Sequence, residues 1–178
     1  MGDFGDPVVS VACVAYSHAV RKLLRTAPVA AIVIALLAAC APVKSGPGGS
    51  STSFGSAHPQ AQELYFLVNN ERAAHGLGPL SWNDQLGGLA QGWSQHMAAT
   101  GSMTHQNLQA LVNSGFGGFS ALAENVLAGG CGMSAGQMHQ LWMNSPGHRA
   151  NILGGFSAIG IGVACNGGAL YATEDFGR

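Results

Sequence analysis

Three short stretches hold the side chains best suited to chemistry: Met103-Thr104-His105, Ala123-Glu124-Asn125, and the run from Trp142 to Leu153 that contains His148. Together they supply two imidazoles and one carboxylate. Two neutral imidazoles plus a carboxylate match the protein ligands of a catalytic zinc site with a fourth position left for water. His105 and His148 would then be the metal ligands, for a divalent ion such as zinc. The same groups could do acid–base work, with the carboxylate orienting a histidine and raising its pKa toward physiological pH. A third reading is structural: Glu124 bonds both imidazoles and pins three segments together. No H-E-x-x-H helix accompanies them, so a peptidase would lack its usual scaffold.

The remaining candidates carry less. His58 and His75 read as surface residues near helix ends, and His96 as the solvated flank of an apolar helical stripe. His139, three residues before Trp142, is placed to line a cleft. Arg149 is expected to hold the following loop through backbone carbonyls, with a substrate carboxylate as the alternative partner. Past Cys40 only Cys131 and Cys165 remain. In an exported protein these are expected to pair, closing a loop of about 34 residues for roughly 3–4 kcal/mol. A thiolate nucleophile is the alternative, though nothing around Cys131 resembles a cysteine-hydrolase signature.

Charge is scarce. Asp, Glu, Lys and Arg make up 8% of the chain, against roughly 25% in ordinary soluble domains, so any cluster of ionisable groups stands out. From His58 onward Arg72, Arg149 and Arg178 face six acidic residues. No basic stripe exists to neutralise phosphates, which argues against nucleic acid as a partner.

The N-terminal part reads as targeting apparatus. Arg21, Lys22 and Arg25 precede an apolar run from Ala27 to Ala39, which ends in Leu37-Ala38-Ala39-Cys40. A basic region, a short apolar core and small residues make a secretory signal. The run spans roughly 20 Å, too short for a hydrocarbon core of about 30 Å. Its final tetrapeptide resembles a bacterial lipoprotein box, with Cys40 acylated and anchoring the chain to a membrane; the alternative is cleavage after Ala41 and secretion. Asp3 and Asp6 sit where positive charge is expected, so translation is expected to start near Val20, leaving Cys13 out of the mature protein. Three segments follow: an extension and signal over 1–40, a Ser/Gly/Pro-rich tether over 41–57, and a domain over 58–178.

Within the domain, helical spacing predicts a helix from Pro59 to His75 with Gly76 beyond its end. A second helix carries Leu86, Leu89, Ala90, Trp93 and Met97, entered through a Ser81/Asp84 capping box and stopped by Gly101. A short helix over 106–113 precedes a glycine break at 115–118. Ser134 with Gln137 opens a further helix, which Pro146-Gly147 closes. The period then changes. Ile159, Ile161 and Val163 alternate with Gly160, Gly162 and Ala164 in a strand whose small-residue face admits a close neighbour. Asn166-Gly167-Gly168 turns the chain back through Ala169–Phe176. Helices first and strands late give an α+β class.

In this order, Asn70-Glu71-Arg72 with Gly76-Leu77-Gly78-Pro79-Leu80-Ser81-Trp82, then Met103-Thr104-His105, Ala123-Glu124-Asn125 and the Trp142–Leu153 run resemble the bacterial branch of the CAP superfamily. This superfamily comprises cysteine-rich secretory, antigen 5 and pathogenesis-related-one proteins. The resemblance implies a three-layer α-β-α sandwich with a central antiparallel sheet, and a shared cleft holding His105, Glu124 and His148. The family's second glutamate, three residues after the helical tryptophan, is Ser145 here, which puts a two-carboxylate mechanism in doubt. The expected function is a non-enzymatic, membrane-anchored module binding a small ligand, a lipid among them, or a partner. The competing expectation is a metal-dependent hydrolase acting on envelope or extracellular substrates.

Overall fold

A computed structural model describes residues 54, 55 and 57–178. The signal, the acylation site at Cys40 and the tether up to residue 53 lie outside the described residues. The packed unit takes in the end of that tether: Phe54 makes edge-to-face contacts with Tyr65 at 5.2 Å and Trp82 at 5.1 Å. No helix among the described residues is long and apolar enough to cross a membrane.

The elements run α1 (Pro59–Ala74), β1 (Ser81–Trp82), α2 (Asp84–Thr100), α3 (Leu108–Asn113), β2 (Leu122–Gly130), α4 (Ala135–Asn144), α5 (Pro146–Ile152), β3 (Ala158–Asn166) and β4 (Ala169–Gly177). One four-stranded sheet has the order β1-β3-β4-β2. Its three long strands are antiparallel as expected, and two-residue β1 adds a parallel edge to β3.

Helix α2 covers one face of the sheet. It comes close because Gly160 and Gly162 oppose it: a Cβ on either would run into the backbone of α2 at Leu86–Gly87 or Ala90–Gln91. The other face carries Ile159, Ile161, Val163, Leu170, Ala172 and Phe176. These pack against Leu64 and Val68 of α1, Met138 and Trp142 of α4, and Ile152 of α5. That is the main core, and it yields the expected three layers. Arg72 is buried there and ties α1 to the end of α5, its guanidinium donating to the carbonyls of Gly78, Ile152 and Gly154.

Two helix boundaries differ from expectation. The cap of α2 is Asn83, whose side chain accepts the Leu86 N–H; Ser81 and Trp82 are drawn into pairing with β3 instead. Pro146-Gly147 does end α4, but Pro146 also occupies the first turn of α5, where its missing N–H costs nothing. His148 therefore sits on a short helix. The Cys131–Cys165 disulfide forms, with the Cα atoms 5.8 Å apart, so neither sulfur is a free nucleophile.

Candidate functional site

The cleft is built at the β2 edge of the sheet. Register places Glu124 opposite Asp175, and Asn125 opposite Glu174. Because side chains alternate, Glu124 and Asp175 project to the α2 face while Asn125 and Glu174 project to the main core. His105 reaches Glu124 from the loop after α2, and α5 brings His148 from the other side.

His105 Nδ1 lies 2.7 Å from Glu124 Oε1. The His105 side chain is 61% exposed and that of Glu124 is 0% exposed, so a buried acid holds a solvent-facing imidazole. An ionised carboxylate only accepts, which makes Nδ1 the donor and turns the Nε2 lone pair outward. The same Oε1 accepts the Gln106 N–H at 3.0 Å, and Oε2 accepts Gln106 Nε2 at 2.6 Å. The Gln106 amide also donates to both Asp175 oxygens, at 3.2 and 3.1 Å. Burial, and then the charge of Glu124, push the Asp175 carboxyl well above the carboxylate range, against the opposing effect of Gln106.

On the core side Asn125 is a hub. Its Nδ2 donates to Glu174 Oε2 at 2.9 Å and to the His148 carbonyl at 3.1 Å. Its Oδ1 accepts from Asn151 Nδ2 at 2.9 Å, and that same nitrogen reaches the Glu124 carbonyl at 3.2 Å. Half-buried His148 is thus fixed through its main chain. Burial, and then the charge of His105, hold its imidazole below the usual histidine range.

Of the three side chains singled out in the sequence, His105 and Glu124 bond directly while His148 is held near them through its carbonyl, and the three do not form a three-ligand metal cage. Both Glu124 oxygens are spent on His105 and Gln106, and among the described residues no group of three His, Cys, Asp or Glu side chains is arranged to hold a metal ion. Only the two imidazoles keep ligating atoms to offer.

Other expectations change. His139 does not line this cleft: it is buried between α1 and α4, 3.7 Å from Glu71, and burial depresses its pKa. Arg149 bonds backward to the Met143 carbonyl at 2.8 Å and so holds the end of α4. His96 and His58 are exposed as expected, His96 stacking on Trp93 at 4.8 Å and His58 capping α1. Gln106, Glu174 and Asp175 were not singled out in the sequence, and Asn125 and Asn151 were named only as members of motifs, without a role. The available signal was Glu174-Asp175 inside a strand otherwise apolar, where adjacent acids must bury one on each face.

Residues 65–176 match the family model described as CAP, cysteine-rich secretory protein family. The chain is 30% identical over 118 residues to YkwD of Bacillus subtilis strain 168, covering 63% of this chain and 45% of that protein. An extracellular SCP-domain protein of Bacillus anthracis superposes with a TM-score of 0.55 at 29% identity, over 67% of this chain and 40% of that one. A cysteine-rich secretory protein of Staphylococcus aureus gives 0.54 at 26% identity, over 66% and 38%. An outer surface protein of Borrelia burgdorferi shares the fold, with a TM-score of 0.59 at 18% identity, over 67% and 92%. The chain thus spans less than half the length of its Bacillus and Staphylococcus relatives.

Proposed function

Because this chain belongs to the cysteine-rich secretory protein (CAP) family, we propose that it is an exported module, anchored to the envelope by lipidation of Cys40. It binds a small ligand or partner through His105, Glu124 and His148 without chemically altering it. The carrying observation is the fully buried Glu124 carboxylate, which spends both oxygens on its own neighbours while presenting an exposed His105. A carboxylate so engaged orients a recognition group and is poorly placed to accept a substrate proton. The disulfide leaves no thiol in the domain to act as nucleophile. A lipid is one ligand class in keeping with anchoring at a membrane.

The test pairs binding with turnover. A fluorescent fatty acid should bind the exported protein, with affinity reduced at least tenfold in His105→Ala and His148→Ala variants that keep the parent thermal midpoint. Hydrolysis of an ester or peptide library, abolished by His148→Ala, would refute a purely binding role.

A second reading is favoured by one detail: a carboxylate on Nδ1 directs Nε2 outward, the arrangement that commonly supports a metal-ligating histidine. With His148 beside it, two imidazoles could hold a divalent ion that activates water for hydrolysis. Calorimetry with zinc should then show micromolar binding that His105→Ala abolishes. No binding, or binding indifferent to that substitution, excludes it.

A further inference from the structure

His105 stands on an open loop. Ser102, Met103, Thr104 and His105 are all exposed, between Gly101, which ends α2 in the left-handed conformation, and Asn107, which caps α3. Among the described residues no hydrogen bond between main-chain groups holds residues 102–106. Side chains hold the loop instead. At and after His105 the anchors are the bonds of His105 and Gln106 to Glu124. Before His105 the anchor is a different residue: Trp93 of α2, whose indole Nε1 donates to the Thr104 carbonyl at 2.8 Å.

An indole combines an apolar body with one N–H donor and no acceptor, so it can pack on a core and still make one directed bond. The body of Trp93 packs against the small second core of Met97, Ala98, Val126 and Tyr171. Met97 lies one turn further along the same helix face. Val126 is two residues from Glu124 on β2 and so projects to the same side of the sheet. His96 stacks on the indole, with ring centroids 4.8 Å and planes 23° apart, which limits the tilt of the ring. Trp93 thereby ties the loop back to the strand that carries the Glu124 carboxylate.

We propose that Trp93 is a positioning residue of the His105 site: its N–H fixes the main chain immediately before His105, Glu124 fixes it immediately after, and the imidazole between them is preset with Nε2 outward. This role builds on His105 being the recognition group, and Trp93 acts through it rather than on the ligand. A recognition group held in advance spares the ligand the cost of ordering it. Without the indole donor the loop keeps only its downstream anchor, and the imidazole is free to exchange Glu124 for water.

Trp93→Phe keeps an aromatic ring and removes the donor. In the 15N-labelled exported protein at about pH 9, where imidazoles are neutral, parent His105 should show a single tautomer protonated at Nδ1. Trp93→Phe should add a population protonated at Nε2 and lower the order parameters of Thr104 and His105. Affinity for the fluorescent fatty acid should fall about fivefold, and the same substitution should cost nothing further in a His105→Ala background. An unchanged tautomer and order at His105 would overturn the assignment, as would an equal loss of affinity in the His105→Ala background. If Trp93→Phe does not fold, the parent decides: its Trp93 indole N–H should exchange with solvent far more slowly than that of free tryptophan, and exchange at the free rate would overturn the assignment. If the parent binds no fatty acid, the binding role proposed above fails, while the tautomer and order of His105 still decide on Trp93.

Discussion

Glu174 has one carboxyl oxygen bonded to Asn125 and the other bonded to nothing among the described residues. Full burial pushes its pKa to about 8, and the Asn125 bond only partly offsets this. A group raised in the folded state contributes stability below its unfolded pKa, about 4.3, and that contribution is lost as pH rises through about 8. Glu174→Gln, which copies the neutral acid, should therefore be close to parent stability at pH 5. At pH 9 it should exceed the parent by about 1–3 kcal/mol. Chemical denaturation at the two pH values checks this, and equal differences at both would remove the buried proton from the account. His105, Glu124 and His148 were legible in the sequence because each sits in a short motif. Gln106 and Asp175 were not, since their importance depends on strand register, which no local pattern states.

Among elements, β2 is an edge strand whose outward groups are partly claimed by side chains. Trp142 Nε1 donates to the Val126 carbonyl at 3.3 Å, and Asn151 donates to that of Glu124. This blunts an edge that could otherwise pair with another chain and couples α5 to the site. Asn151→Ala should cost about 1–2 kcal/mol by leaving buried acceptors unpaired, and should perturb the His148 ring resonances more than those of His96. Gly160→Ala should cost at least about 1–3 kcal/mol, because its methyl group meets helix backbone that cannot step aside; urea denaturation measures both. The alternation of Gly160 and Gly162 with Ile159, Ile161 and Val163 marks a face open to a close neighbour, and α2 is that neighbour. The start of α2 was harder to read. Ser81 and Asn83 are both good caps, and the choice fell to Asn83 because β1 is claimed by β3, a partner more than seventy residues away.

For the molecule as a whole, acid and base weaken it through different groups. His139 and His148 have depressed pKa values, so their contribution is present above about pH 6.5 and lost as pH falls through the folded values. Glu174 and Asp175 act in the opposite sense. Between pH 4.5 and 6.5 the two trends oppose one another, and above that the acids dominate. The thermal midpoint should fall between pH 6.5 and 8.5, and Glu174→Gln should flatten that decline. Replacing Cys131 and Cys165 together by serine should cost roughly 3–4 kcal/mol, read by denaturation under non-reducing conditions. The α+β class and the disulfide were legible in the sequence; the parallel edge was not, since β1 is too short to show a period.

That disulfide fastens the sheet at one end only. Cys131 follows β2 and Cys165 lies near the end of β3, and both flank the turn into β4. At the opposite end, where residues 122, 158 and 177 meet, nothing covalent joins the strands, and Glu124, Glu174 and Asp175 are close by. Thermal fraying of the sheet should therefore set in among the residues that carry its chemistry, while the cystine end stays shut like the spine of a book.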